Sequence, residues 1–288
     1  MSLTELSKEP TVDPAEFNAF FPSPYSLAEF TSPRVEITGA SYPARYEGDG
    51  KILMIAADER YLPTDTGRLF STGNHPVETL LPMYHLRRAG FEFDVATVSG
   101  RSAKFEFWAM PREQSEITGL HGDYLPRFLA PKKLSDVADG LDASSDYVAV
   151  FIPGGHGALI GLPESEAVAR VLGWAMAQDR HVISICHGPA ALVAAGAFGK
   201  PSPFEGYSIT AFPDAVDRRT PEIGYMPGGL TWFFGEHLAA QGVTILNSDV
   251  TGATHQDRKL LTGDSPFASN ALGRLAARAL LGEVGIGA

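Results

Sequence analysis

Regular structure in the chain begins at Lys51. The run KILMIAA, residues 51–57, is apolar from its second position onward and is bounded by Gly50 and by the charged trio Asp58, Glu59 and Arg60. A short continuous apolar run predicts a strand buried on both faces of a parallel sheet. After a loop containing Gly67 and Gly73, the segment HPVETLLPMYHLRRAG, residues 75–90, places Val77, Leu80, Leu81 and Tyr84 at helical spacing. Asn74 is the expected N-cap and Gly90 the stop, and Pro82 is expected to kink the helix. FEFDVATVS, residues 91–99, reads as a second strand.

The alternation resumes at Tyr147. YVAVFIP is a strand running into the loop GGHGALIGLP, EAVARVLGWAMAQ an amphipathic helix, HVISI a buried strand and GPAALVAAGA a short helix. GYSITAF, VTILN and KLLTG read as further strands, and PFASNALGRLAARALL as a closing helix with Ser265 as cap and Pro266 at its first position. Strands alternating with helices predict an α/β architecture, a doubly wound parallel sheet covered on both faces.

Two stretches break this pattern. Residues 1–48 are rich in Pro, Ser and aromatics without a period, and Phe17, Phe20, Phe21, Tyr25 and Phe30 predict an extended arm that packs through its rings. Residues 99–145 are mixed and polar, with Trp108 and the pair Lys132 and Lys133, and read as an insertion. Arm and insertion together would build a small second lobe, leaving 49–98 and 146–288 as the core.

Charge and cysteine use narrow the function classes. The net charge of -11 over 288 residues argues against a phosphate-backbone binder, so no sequence-specific nucleic-acid partner is expected. It also disfavours an anionic membrane surface, and no apolar run is long enough to span a bilayer. The polar, acidic N-terminus does not read as a secretory signal. One cysteine can form no intramolecular disulfide and no multi-cysteine zinc site, which points to a reducing, cytoplasmic location.

That cysteine carries the strongest chemical signal. In ISICHGPAALVAA a β-branched strand runs into Cys186, then His187 and Gly188, then a helix. A residue at such a turn sits at the carboxyl end of the sheet, where open α/β sheets bind ligands. The following helix start is expected to favour a thiolate and lower the pKa of the thiol. Lone cysteines are more often small buried hydrophobes, but the turn and the adjacent histidine favour a nucleophile resembling a hydrolase elbow. In FIPGGHG, the pair Gly154 and Gly155 lets backbone approach a ligand closely, and their amides with that of His187 are candidates for an oxyanion site that also includes His156. Glu78, in the first turn of its helix, is a candidate proton shuttle whose carboxyl would stay protonated beside a thiolate. Either Asp214 or Asp217 of AFPDAVD is placed to orient a histidine, and spacing does not choose between them.

Taken together, ADERYLPTDTGRLFSTGNHPVETLLP, FIPGGHGALIGLPESEAV, ICHGPAAL, FPDAVD, PEIGYMPG and LLTGDSPFASNALG resemble the HchA-type family of bacterial heat-shock proteins. That family is described as glyoxalase III, as a protein and nucleotide deglycase and as a holding chaperone, within the superfamily of PfpI and the Parkinson-disease deglycase. The resemblance runs over nearly the whole chain. It implies a flavodoxin-like core, a small lobe and a homodimer. It also implies Cys186 as nucleophile, His187 as its partner, Asp217 as third member and Glu78 as proton shuttle. Relatives carry a metal site of two histidines and one carboxylate near the active cleft. Its carboxylate matches Glu92, but Arg87 and Tyr124 stand at the histidine positions, and a guanidinium does not ligate a cation. No zinc or other cofactor is therefore expected.

The implied activity is conversion of methylglyoxal or glyoxal to D-lactate or glycolate without glutathione, and removal of early aldehyde adducts from proteins and nucleotides. The expected partners are small aldehydes, glycated proteins and nucleotides, and a second copy of the chain. A stress chaperone that holds unfolded proteins is the alternative, and a cysteine peptidase-like hydrolase, suggested by fold analogy alone, is weaker.

Overall fold

The computed structural model describes residues 3–199 and 201–284. Residues 1–2, 200 and 285–288, at the edges of the expected arm and within the expected core, lie outside the described residues. The main sheet has seven strands: β1 Lys51–Ala56, β2 Glu92–Thr97, β3 Lys132–Lys133, β4 Tyr147–Ile152, β5 His181–Ile185, β6 Thr254–Asp257 and β7 Leu260–Gly263. Their order is β6-β7-β5-β4-β1-β2-β3. Every neighbouring pair is parallel except β6 with β7. The chain therefore winds outward in both directions from β1 and β4, the flavodoxin-like arrangement, and leaves its ligand crevice at their carboxyl ends.

Alternation along β1 explains the two layers. Leu53 and Ile55 point to one core with Val168 and Leu172 of α3 (Glu166–Ala177) and Leu192 of α4 (Leu192–Phe198). Ile52 and Met54 point to the other, with Leu80 and Leu86 of α1 (Pro76–Arg88), Ile117 of α2 (Ser115–Leu129) and Leu272 of α5 (Ser269–Glu283). Successive strand side chains face opposite sides, so a run apolar at every position is satisfied only with helices on both. Each of these buried aliphatic chains contributes roughly 1.5–3 kcal/mol of transfer free energy.

Several local expectations are corrected. Asn74 does not cap α1; the capping position is His75, without a side-chain bond, and the Asn74 amide instead clasps the backbone of Ala57 and Lys104. Tyr84, half-buried, packs on the same core as Val77, Leu80 and Leu81, as its spacing predicts. Its helix continues through Pro82. Ser265 stands at the N-cap of a tighter turn, Pro266–Ala268, that leads straight into α5, but its hydroxyl bonds its neighbour Asp264 at 2.6 Å instead of a turn amide. GYSITAF and VTILN supply only Ser208–Ile209 and Thr244–Ile245, which pair with each other outside the main sheet. In segment 99–145, α2 packs on α1 and β3 extends the sheet beyond β2, so this much of it belongs to the core layers.

The arm is more ordered than its sequence predicts. Thr11–Val12 and Ala19–Phe21 join Leu69–Ser71 and Tyr61–Pro63 in a small sheet. Pro24–Phe30 is a helix whose Ser23 hydroxyl accepts the Ser26 amide at 3.1 Å. The hydroxyls of Ser23 and Ser26 also donate to the Ile223 carbonyl, which docks the arm beside the crevice. Phe17 is the exception to the expected packing, being 89% exposed.

Candidate active site

Strand β5 ends at Ile185 and Cys186 follows with φ of 57°. A non-glycine residue in that region carries strain of about 1–3 kcal/mol and persists only where its surroundings hold it. Here the Cys186 amide donates to the Gly263 carbonyl at 2.9 Å and its carbonyl accepts from Phe212 at 3.0 Å. The sharp turn holds the sulfur at the carboxyl edge of the sheet.

The turn also brings adjacent residues face to face. Cys186 Sγ lies 3.3 Å from His187 Nδ1. His187 Nε2 donates to Asp217 Oδ2 at 2.9 Å. With the proton on Nε2, the Nδ1 lone pair is left facing the thiol. The choice between aspartates is settled by placement. Asp217 is fully buried, whereas Asp214 accepts the amides of Gly235 and Glu236. Burial alone would raise Asp217, but the imidazoles of His187 and His156 outweigh it and hold the carboxylate below the usual range. His156, expected as part of a substrate and oxyanion site, lines the cavity; its Nε2 donates to Asp217 Oδ1 at 3.2 Å, and its ring lies 3.9 Å from that of His187. Burial lowers its pKa, so it stands as a neutral ring backing the first imidazole.

Glu78 is fully buried, and its carboxyl lies against the Cys186 sulfur and the Gly155 amide, though neither oxygen makes a hydrogen bond of full geometry. Burial pushes its pKa well up, which keeps it protonated. Burial likewise raises the Cys186 thiol well above its ordinary value, with the Glu78 carboxyl adding to the effect. This corrects the expected depression of the thiol pKa. Desolvation and two nearby carboxyls, Glu78 and Asp217, outweigh any helix-end dipole. The resting pair is neutral, and the thiol proton has a receiver in His187 Nδ1.

The glycine pair is required by closeness. A Cβ on Gly154 would meet Ile185 O at 2.7 Å and Cys186 Cβ at 2.8 Å, besides colliding with Glu78 Oε2. Gly155 adopts φ of 102° and hands its amide to the sulfur.

Glu78, Gly155, His156, Cys186 and His187 open on one cavity of about 480 Å³, also lined by His75, Glu106, Tyr225, Phe212 and, at its rim, Phe30 and Phe267. Glu106 was not foreseen from sequence. Its one signal is an acid set among aromatics in FEFWAM, and that pattern marks a buried carboxyl only once a cavity is known. Burial raises Glu106 from 4.5 to about 7. An acid with a raised folded-state pKa loses stability as pH climbs from its unfolded to its folded value, because only the unfolded chain ionises there. Glu106→Gln is therefore expected to remove about 3 kcal/mol of stability loss between those limits. Urea unfolding of both forms at pH 5 and pH 8 measures it: the variant gains relative stability at the higher pH only.

The DJ-1/PfpI family model matches residues 69–218. The protein/nucleic acid deglycase HchA of Escherichia coli O157:H7 (strain EC4115) is 61% identical over 277 residues, 96% of this chain and 97% of that one. The protein of the same name from Escherichia coli O1:K1 is 62% identical over 275 residues, 96% of each. The chain belongs to the DJ-1/PfpI family. Among solved structures, the rapid encystment protein of Francisella tularensis matches with a TM-score of 0.64 at 17% identity, covering 80% of this chain and 99% of that one. Glyoxalase III of Candida albicans matches at 0.60 and 21%, covering 79% and 97%. These two show the DJ-1/PfpI fold.

Glu92 opens strand β2, so it lies at the amino edge of the sheet, roughly 20 Å along the strands from the Cys186 edge. The expectation that it borders the cleft is corrected by this topology. Its carboxylate is already held, by an ion pair to Arg87 and by the Tyr124 hydroxyl at 2.9 Å. A guanidinium with no lone pair to give stands where a ligand would be needed, so these residues do not fit a metal. A second cavity, of about 560 Å³, opens on the same amino edge. There Asp94 pairs with Lys51 and Lys132, and neither a cysteine nor a histidine lines the cavity.

Proposed function

We propose that this DJ-1/PfpI chain is a cysteine-dependent enzyme. It converts methylglyoxal and glyoxal to D-lactate and glycolate without glutathione, and removes early aldehyde adducts from proteins and nucleotides. The observation that carries the reading is the row Glu78, Cys186, His187 and Asp217, of which the first three line one cavity and Asp217 holds His187 from behind. The printed name of the Escherichia coli relatives, protein/nucleic acid deglycase, agrees with it.

The thiol adds to the aldehyde carbon, and its proton passes to His187 Nδ1. The Gly155 amide, already turned toward the sulfur, faces the oxygen that gains charge. Protonated Glu78 gives its proton to the neighbouring carbonyl oxygen, and the carboxylate so formed takes the C1 proton to give an enediol; Glu78 then delivers that proton to C2 and regains one from the C1 hydroxyl as the thioester forms, a cycle that starts from a carboxyl kept neutral by burial. Water then cleaves the resulting thioester and restores the thiol. The test is D-lactate from methylglyoxal with glutathione absent; no lactate would remove the proposal.

No step requires a metal. His156, His187 and Asp217 hold their ligand atoms within 4.8 Å of one another, but each imidazole spends its Nε2 on the Asp217 carboxylate, so a cation would break both bonds. Dialysis against a strong chelator is expected to change neither lactate formation nor Tm, and a fall in either would place a metal in the reaction.

The reading extends to a homodimer in the cytoplasm, in line with the resemblance that the sequence carries. Among the described residues, no helix is long and apolar enough to cross a membrane. Holding of unfolded proteins would use exposed apolar side chains such as Phe30 and Phe267, which meet at the rim of the cavity. Aggregation suppression by a variant without the thiol measures that activity apart from the chemistry.

A further inference from the structure

The cavity holds a second buried acid that the aldehyde chemistry leaves unused. Glu106 is fully buried and lines the same cavity as Cys186. Its Oε1 accepts the Thr72 hydroxyl at 2.6 Å, while Oε2 has no hydrogen-bond partner. One oxygen is pinned, and the other makes no hydrogen bond of full geometry, with the His156 amide lying against the carboxyl. The groups facing it are His156, held neutral by burial, the Arg60 guanidinium, the protonated Glu78 and the Tyr225 phenol.

A free aldehyde needs one carboxyl, and Glu78 beside the sulfur provides it. A glycated amine poses a second problem, because its nitrogen must leave the carbon that the sulfur is to occupy, and it leaves poorly without a proton. We propose that Glu106 is the acid that releases the amine half of a glycated substrate, acting on its nitrogen while Cys186 receives the aldehyde half. This rests on the deglycase reading above and assigns its amine-side group.

The step balances without any further reactant. In a hemiaminal, nitrogen and hydroxyl share one carbon. Glu106 Oε2 gives its proton to the nitrogen, the C–N bond breaks, and its electron pair departs with the neutral amine. The hydroxyl proton returns to the Glu106 carboxylate as the C=O bond forms. Glu106 ends as it began, and the freed aldehyde stands in the cavity beside the thiol. A buried neutral carboxyl suits this work, because it both donates and takes back one proton.

The experiment compares two rates in Glu106→Gln: amine release from freshly formed methylglyoxal hemiaminal of Nα-acetyllysine, and lactate formation from free methylglyoxal. The ratio of the first to the second is expected to fall roughly 100-fold, the usual size of a general-acid contribution. In the unmodified protein, amine release should also decline above about pH 7, where burial places the Glu106 carboxyl, and that limb should vanish in the variant. Equal losses in both rates, or none, would overturn the assignment. Should Glu106→Gln fail to fold, Glu106→Asp keeps an acid with shorter reach. It is expected to lower the same ratio while retaining the pH limb, and an unchanged ratio would overturn the assignment there too. An unmodified protein that releases amine no faster than the spontaneous rate would remove the deglycase reading itself.

Discussion

Cys186→Ala is expected to reduce lactate formation from methylglyoxal by roughly 10⁵-fold or more, the scale on which removal of a covalent nucleophile acts. The sulfur is the group in the cavity with an imidazole placed to take its proton, and the sequence holds no second cysteine to replace it. The fold should survive. Alanine keeps the Cβ, the φ of 57° and both backbone bonds to Gly263 and Phe212, so the strain at the turn is unchanged. What is lost is a small buried atom and a neighbour of Glu78, costs within the range of ordinary core truncations. Turnover and thermal unfolding measured on the same preparation separate the two: activity at background with a Tm shifted by a few degrees is the expected pattern. Appreciable turnover in a folded variant would end the role given to the sulfur.

Asp217→Asn is expected to lower the same activity by roughly 10³–10⁴-fold, through a proton in the wrong place. Asp217 accepts from two imidazoles, His187 Nε2 at 2.9 Å and His156 Nε2 at 3.2 Å. An amide has one accepting oxygen and one donating nitrogen, so it satisfies one ring and must donate to the other. If its NH₂ faces His187, that ring moves its proton to Nδ1, which then points at the sulfur and has no lone pair to take the thiol proton. If the oxygen faces His187, the tautomer survives, but the negative charge that would stabilise the imidazolium is gone. Either orientation impairs thiol ionisation, and the thiol begins with a raised pKa that makes the helper indispensable. The loss should lie in kcat, with less change in KM, because Asp217 is fully buried behind the rings. A variant within tenfold of the parent would contradict the arrangement.

The scaffold was legible in the residue pattern to a large degree. Apolar runs at 51–57, 147–153 and 181–185 became adjacent strands of one parallel sheet. The reason is local: a run apolar at every position has no stable place except between two layers. The turn at Cys186 was equally legible, since strand, cysteine and small-residue helix are contiguous. The short pairs at Ser208–Ile209 and Thr244–Ile245 misled for the opposite reason, since two residues carry too little pattern to say which sheet they join.

The sequence by itself determined the layered α/β architecture, the position of Cys186 at its turn, and, through long matching segments, the kinship of the chain. Spacing alone did not choose between Asp214 and Asp217, which the resemblance did, and the sequence did not determine that the thiol rests protonated, that Glu106 belongs to the cavity, or that Glu92 lies at the opposite edge of the sheet from Cys186. Those facts depend on distances among positions 78, 106, 156, 186 and 217, which only the crossovers between strands bring together. They depend also on desolvation, which a residue acquires from everything packed around it and which no local pattern of neighbours along the chain encodes.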